Sequence, residues 1–388
     1  MTSEPLYFDN NSTTRILPEV VDAMTECLRA GYRNPASQHR SGRAARRVLE
    51  LAREQIAQQL GANLAAPHQD QLIFTSGGTE SNNLAIRGLV GVAGKMAVAG
   101  EVLVSGLEHP SALAAADELK SSGFEIIKLP VSLSGHVSVE SVLKAITERT
   151  RLVVLMLGNN EVGTIQPIPE VARICHERGI PLHVDAVQAV GKVSTDFAKL
   201  GATSLAFSAH KFHGPRGIGG LLVRSRAQLS PLLVGGSQQL GLRPGTESIA
   251  LVVGMARALE LSALALDENH ERMLSLRDLL SRQLINECGC AVNGAEPRLP
   301  HTLNVSFPGL DRQAIVMTLD LAGVECSTGS ACTSGSSEPS HVLLAMGCQS
   351  DVVESSIRLS LSRLTTESDV TEVAARISAV INGLRRQK

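Results

Sequence analysis

The sequence predicts an α/β fold: a mostly parallel central sheet in a large domain, covered by helices on both faces, with a smaller α/β domain beside it. Three observations carry this. Short, almost continuously apolar runs rich in β-branched residues recur through the first two thirds of the chain. Stretches with helical spacing separate them, as in sheets buried on both faces. Finally, the chain has 388 residues, whereas a single core stops growing at roughly 250–300.

Taken in order, strands are expected over residues 71–74, 101–104, 125–129, 152–157, 182–184, 204–207 and 220–223. Residues 43–60 space Ala45, Val48, Leu49, Ala52, Ile56 and Leu60 along one helical face. Residues 169–178 form another helix, and residues 247–283 a long helical block. A strand at 303–307, a helix at 312–321, a Gly/Ser-rich loop at 325–338, a strand at 357–361 and a helix at 367–384 complete the second domain. The Gly/Ser-rich loop has little apolar material to anchor it and is expected to be more mobile than the sheet. No fixed-period repeat or low-complexity tract interrupts this order.

Composition narrows the function. Hydrophobic residues make up 43% and charged residues 19% of the chain, which excludes a disordered protein. A net charge of −2 and a pI of about 6.6 argue against a nucleic-acid surface. Arg385, Arg386 and Lys388 read as a solvated tail. Residues 1–11 lack the basic and apolar regions of a signal peptide. The longest strongly apolar run, residues 152–157, falls far short of the ~18 residues of a membrane span. A soluble, cytoplasmic protein is expected. The seven cysteines are odd in number and contain no C-x-x-C, so neither a disulfide framework nor a metal site is expected. Cys288-Gly289-Cys290 reads as two partly buried thiols at a turn.

The chemistry is concentrated where strands end, which is where open α/β sheets bind ligands. Asp185 closes the apolar run 182–184. Lys211 follows the run 203–207, in Ser208-Ala209-His210-Lys211-Phe212-His213-Gly214. A lysine that can hold an aldehyde carbon and an acid that can hold a pyridinium nitrogen are the two anchors of a pyridoxal 5'-phosphate (PLP) site. Alone, a lysine after a strand is more often a surface residue; its company decides. Gly77-Gly78-Thr79 runs from a strand into a helix, and such a turn lets an anion approach the free N–H groups and positive end of the helix. It also fits an ordinary turn with Thr79 as N-cap. Ser208 and His210 flank the lysine and can reach the same phosphate. His109, in Glu108-His109-Pro110-Ser111, can stack on a ring and carry a proton, in a chain with no Trp and two Tyr. Asn160 and Gln188 can bond a phenolic oxygen, although Asn160 also fits a turn. Cys332, in Gly329-Ser330-Ala331-Cys332-Thr333-Ser334-Gly335, is a candidate nucleophile on a segment that can swing, or a small residue in a linker.

These motifs closely resemble the PLP-dependent cysteine desulfurases of the NifS/IscS type, in the fold-type I superfamily. The match runs from Tyr7-Phe8-Asp9-Asn10-Asn11-Ser12-Thr13-Thr14 to Ser356-Ile357-Arg358-Leu359-Ser360-Leu361. Between these ends lie Asn34-Pro35-Ala36-Ser37, Gly78-Thr79-Glu80-Ser81, Asn159-Asn160-Glu161-Val162-Gly163 and Arg243-Pro244-Gly245-Thr246. The stretch around Cys332 looks like that of the long-loop subgroup.

The resemblance implies a large PLP-binding domain over residues 15–262 and a small domain over 263–388 with 1–14. It makes Lys211 the cofactor-bearing lysine, Asp185 the partner of the pyridine nitrogen and His109 the stacking and proton-shuttling group. Asn160 and Gln188 would bond the phenolic oxygen. Gly78, Thr79, Ser208 and His210 would bind the phosphate, with Thr246 reaching the phosphate of a neighbouring subunit in a homodimer. Arg358 and Asn34 would clamp the carboxylate of L-cysteine. Cys332 would take the substrate sulfur as a persulfide, leave L-alanine, and pass the sulfur to an acceptor or iron–sulfur scaffold protein. The stretch after Arg358 is shorter than the tail with which housekeeping members dock that scaffold, so the acceptor is left unnamed. Two other readings stand beside this one. Another fold-type I enzyme, a selenocysteine lyase or aminotransferase, would not need the thiol of Cys332. A non-catalytic sulfur carrier or a regulatory PLP-binding protein would keep Cys332 or the cofactor cradle, but not the full set with Lys211, His109 and Arg358.

Overall fold

The computed structural model describes residues 5–65, 69–91, 99–329 and 338–387. Cys332 therefore lies outside the described residues. In chain order the strands are β1 (Leu6–Tyr7), β2 (Gln71–Thr75), β3 (Glu101–Ser105), β4 (Glu125–Leu129), β5 (Thr150–Val154), β6 (Leu182–Asp185), β7 (Ser204–Ser208), β8 (Gly219–Val223), β9 (Ala291–Val292), β10 (Thr302–Ser306), β11 (Val324–Glu325) and β12 (Ser356–Ser360).

Seven of them form the central sheet in the order β2-β8-β7-β6-β5-β3-β4. All run parallel except β8, which is antiparallel to both neighbours. Chain length explains the exception. Only residues 209–218 join β7 to β8, fewer than the dozen or so that a parallel crossover needs. The lysine predicted to react sits in this tight connection. Because β2, β3, β5, β6 and β7 share one direction, their C-terminal ends open on one edge of the sheet.

The strands pack on both faces. Val102, Leu103, Val153, Val184, Leu205 and Leu222 are fully buried, each such side chain contributing about 1.5–3 kcal/mol on leaving water. The helix Arg40–Gln59 buries Ala45, Leu49, Ala52 and Ile56 against this core, the face its spacing predicts. A second apolar cluster lies around β10 and β12 and the helices Leu266–Cys288, Arg312–Leu321 and Glu367–Arg386, with Phe8, Leu280, Ile315, Ile357 and Ile377 inside it.

Two expectations are corrected. The helical block at 247–283 is two helices, Ile249–Leu264 and Leu266–Cys288, bent by 73° at their junction. Ala265 leaves helical geometry there, with φ −126° and ψ 28°. The apolar run 152–157 is a strand only to Val154. Beyond it the backbone N–H groups of Leu155 and Leu157 still donate to the carbonyls of His183 and Asp185, so the run stays extended and buried as it enters the site. Among the described residues no single helix is long and apolar enough to cross a membrane.

Candidate active site

The parallel strand ends deliver the predicted residues to one place. Asp185 is the last residue of β6, and β7 beside it ends at Ser208, leading into the turn Ala209–Lys211. His109 caps the helix Pro110–Glu118 beyond β3, its Nδ1 accepting from the backbone N–H of Ser111 at 3.1 Å. Asn160 lies beyond β5. Arg358 reaches in from β12 of the other cluster. A cavity of about 160 Å³ is lined by Lys211, Asp185, His109, Asn160, Gln188, Arg358, Gly78, Thr79, Ser208 and His210. A second, of about 340 Å³, shares Gly78, Thr79, Ser208 and His210 and adds Ser76, Gly77 and Arg216.

Ten of the thirteen residues singled out from the sequence thus converge. Asn34 and Thr246 do not line the cavity within this chain: both are exposed, and the Asn34 side chain is spent on the N–H of Ala36. A larger cavity, about 910 Å³, opens at the opposite end of the sheet beside Leu182, Thr203 and Arg224 and contains none of these groups.

Each side chain is held by something definite. The Asp185 carboxylate accepts from the Asn82 amide at 2.7 Å and from the backbone N–H of Val187 at 2.9 Å. Asn82 also donates to Ser111 Oγ, and its carbonyl meets His183 Nε2 at 3.1 Å. Asn82 therefore ties the acid to the cap of the His109 helix. Lys211 Nζ donates to the carbonyls of Asn11 and Ser12 at 2.5 and 2.8 Å. Arg358, 1% exposed, donates to Asp9 Oδ1 at 2.6 Å and to the carbonyl of Asn160 at 3.1 Å. Asn82, Asn11, Ser12 and Asp9 are missing from the sequence prediction. Asn82 was within reach of it: four positions after Gly78, it lies on the helix face that turns inward with the glycine.

Burial favours the neutral form of both site imidazoles. Burial pushes His109 below the ordinary value, reinforced by Lys211 and opposed by Asp185. Burial, with help from Lys211, brings His210 to about 4. Since His109 Nδ1 accepts the Ser111 N–H, the ring proton of His109 sits on Nε2.

This arrangement fits an anionic pyridine cofactor. The helix Gly78–Leu89 starts at the cavity with no side chain among the described residues capping it, leaving its first N–H groups and positive end to an anion. A Cβ on Gly78 would lie 2.8 Å from Val187 Cγ2, so a larger residue there would have to displace the Val187 side chain. The buried amide oxygen of Asn160 has no partner among the described residues, as expected of a group whose side chain waits for a ligand. No cluster of metal-ligating side chains occurs among the described residues.

The fold and the site define a PLP-type α/β enzyme of the aminotransferase class. The chain matches the aminotransferase class-V family over residues 6–373 and belongs to it. Within that family it groups with cysteine desulfurases of the NifS/IscS type. It is 41% identical to the cysteine desulfurase IscS of Dictyoglomus turgidum, over 98% of this chain and 95% of that one. It is 38% identical to the cysteine desulfurase IscS of Methanosarcina thermophila, over 99% and 93%. Among solved structures, a NifS-like protein superposes with a TM-score of 0.90 at 36% identity, covering 98% of this chain and all of that one. A structure described as SspA in complex with cysteine superposes with a TM-score of 0.80 at 33% identity, over 93% and 99%.

Proposed function

We propose that the protein is a PLP-dependent cysteine desulfurase that converts L-cysteine to L-alanine and places the sulfur on Cys332 as a persulfide. The observation that carries this reading is the convergence of Lys211, Asp185, His109 and Arg358 on one cavity beside an uncapped helix start. Gly78, Thr79, Ser208 and His210 would hold the phosphate, Asp185 the pyridine nitrogen, Asn160 and Gln188 the phenolic oxygen, and Lys211 the aldehyde carbon. When bound, the cofactor supplies a sink for the electrons released at the substrate Cα.

The chain's own residues do the rest. Arg358 grips the substrate carboxylate, its fork already oriented by Asp9 and the Asn160 carbonyl. Lys211 holds or accepts the Cα proton, and the Asn11 and Ser12 carbonyls receive its amine whenever it is displaced. His109, neutral with its proton on Nε2, can give that proton up or carry one away. The Cys332 thiolate attacks the substrate sulfur: an S–S bond forms, the Cβ–S bond breaks, and Cβ gains a proton. L-Cysteine and one thiol thereby become L-alanine and one persulfide, with no external oxidant. The persulfide sulfur then passes to an acceptor or iron–sulfur scaffold protein; we propose that this happens in a reducing cytoplasm, a reading that the free thiols of the described cysteines support.

Incubation of the PLP-loaded protein with L-cysteine and a reductant should give L-alanine and sulfide in equal amounts. Pyruvate or ammonia in place of alanine would favour a different lyase chemistry. Because burial keeps His109 neutral, the acid limb of kcat/KM against pH should have its midpoint below 6.5, the ordinary imidazole value. A midpoint clearly above it would remove His109 from the proton path.

We take residues 15–262 as the large domain and 263–388 with 1–14 as the small one. We also propose a homodimer. Val234 and Leu240 are 91% and 78% exposed in the segment leading to Thr246, and large apolar side chains left in water mark an interaction surface. In the dimer, Thr246 would complete the neighbour's phosphate site. Sedimentation should give twice the chain mass, whereas a fully active monomer would contradict this.

A further inference from the structure

A second lysine lies behind the cavity and takes no part in the chemistry above. Lys192, 6% exposed, follows β6 in the turn that also carries Gln188. Its Nζ donates to Gln188 Oε1 at 3.1 Å. At the other end of the same amide, Gln188 Nε2 donates to the carbonyl of Asn11 at 2.9 Å, the oxygen that also receives Lys211 Nζ. A continuous path of hydrogen bonds therefore joins Lys192 to Lys211 through Gln188 and Asn11.

A buried amine is costly, and here the cost is visible. Burial holds Lys192 well below the ordinary lysine value, and Lys211 and Arg358 push it further down. The other titratable groups near it, His210, His213 and His301, are themselves held low, by burial first and also by neighbouring cations, with the hydrogen bond to the Arg15 carbonyl opposing this at His213. Among the described residues, no carboxylate offsets these effects at Lys192. An apolar residue would pack here without that cost, so the amine calls for a reason.

Gln188 supplies one. An amide has one end that only accepts and one that only donates. With Oε1 taken by Lys192 and one Nε2 hydrogen by Asn11, the second Nε2 hydrogen is left for the cavity that Gln188 lines. We propose that Lys192 is a positioning residue: its buried amine fixes the Gln188 amide so that an N–H, and not the carbonyl, faces the phenolic oxygen of the cofactor. The proposal rests on the PLP reading of the cavity and adds a residue that acts through Gln188 and touches no ligand. Without the Lys192 donor, Gln188 Oε1 would be a buried, unsatisfied acceptor, and the amide would turn to relieve it. The oxygen of the ring would then lose a donor, and its protonation would move.

The test is the absorption of PLP-loaded protein titrated with pH, read without turnover. Lys192→Met removes the donor and should shift the midpoint of the spectral transition by about one pH unit. Lys192→Gln keeps an N–H donor in place and should stay near the wild-type midpoint. Gln188→Ala should shift the midpoint too, and adding Lys192→Met to it should change nothing further. An unshifted Lys192→Met overturns the proposal. So does a shift that persists undiminished on top of Gln188→Ala, since Lys192 would then act by its own charge. Lys192→Leu is read the same way if the methionine variant does not fold. Wild-type protein that takes up no PLP would refute the cofactor reading itself, a result distinct from any of these.

Discussion

Replacing Cys332 with serine should lower sulfide release by about a thousandfold or more while leaving PLP binding unchanged. A serine hydroxyl cannot take sulfur from a carbon by forming an S–S bond, and no other thiol is ready to substitute. Desolvation raises Cys27, Cys175, Cys288, Cys290, Cys326 and Cys348, all six described cysteines, above the ordinary thiol value. Cys326, nearest in sequence to Cys332, is pushed up to about 12. Thiolate is the attacking form, so these groups are poor nucleophiles at neutral pH. The cofactor contacts come from strand ends remote in sequence from residue 332, so the absorption of the bound cofactor and its response to L-cysteine should survive. Sulfide release near the wild-type rate by Cys332→Ser would return the selenocysteine lyase or aminotransferase reading to first place.

Lys211→Ala should be as damaging for a different reason. Among the described residues, the variant loses the only lysine that lines the active-site cavity. Turnover should fall by about a thousandfold or more, because both roles proposed for the lysine, holding the cofactor and handling a proton, are lost. Borohydride treatment of the PLP-loaded wild type should fix the cofactor to the peptide containing Lys211. The same treatment of Lys211→Ala should leave the cofactor free to dialyse away. A wild-type adduct on Lys192 would show that the two buried amines have exchanged roles.

Much of this was legible before any coordinates, for physical reasons that can be named. Lys211, Asp185, His109 and Asn160 follow apolar runs, and a strand that ends must release its polar residues at the sheet edge. The glycines before Thr79 announce a close backbone approach, which the 2.8 Å gap between a Gly78 Cβ and Val187 makes concrete. What stayed hidden involves contacts distant in sequence. Asp9 meets Arg358 across 349 positions, and Lys211 meets the Asn11 carbonyl across 200. No periodicity records such pairs, and a backbone carbonyl has no residue type to betray it. The 73° bend at Ala265 is silent for another reason: neither proline nor glycine marks it. Lys192 looks like any charged residue after a turn until its burial is known. Thr246 and Asn34 do not line the cavity of the single chain, so the proposed role of Thr246 depends on the proposed dimer.

The most direct test of the whole account is mass spectrometry of the PLP-loaded protein after brief exposure to L-cysteine without reductant. The account predicts one added sulfur atom on the peptide that contains Cys332, removed by dithiothreitol and absent from Cys332→Ser and Lys211→Ala. Sulfide and alanine production with no added sulfur on that peptide, or with the sulfur on another cysteine, would contradict it.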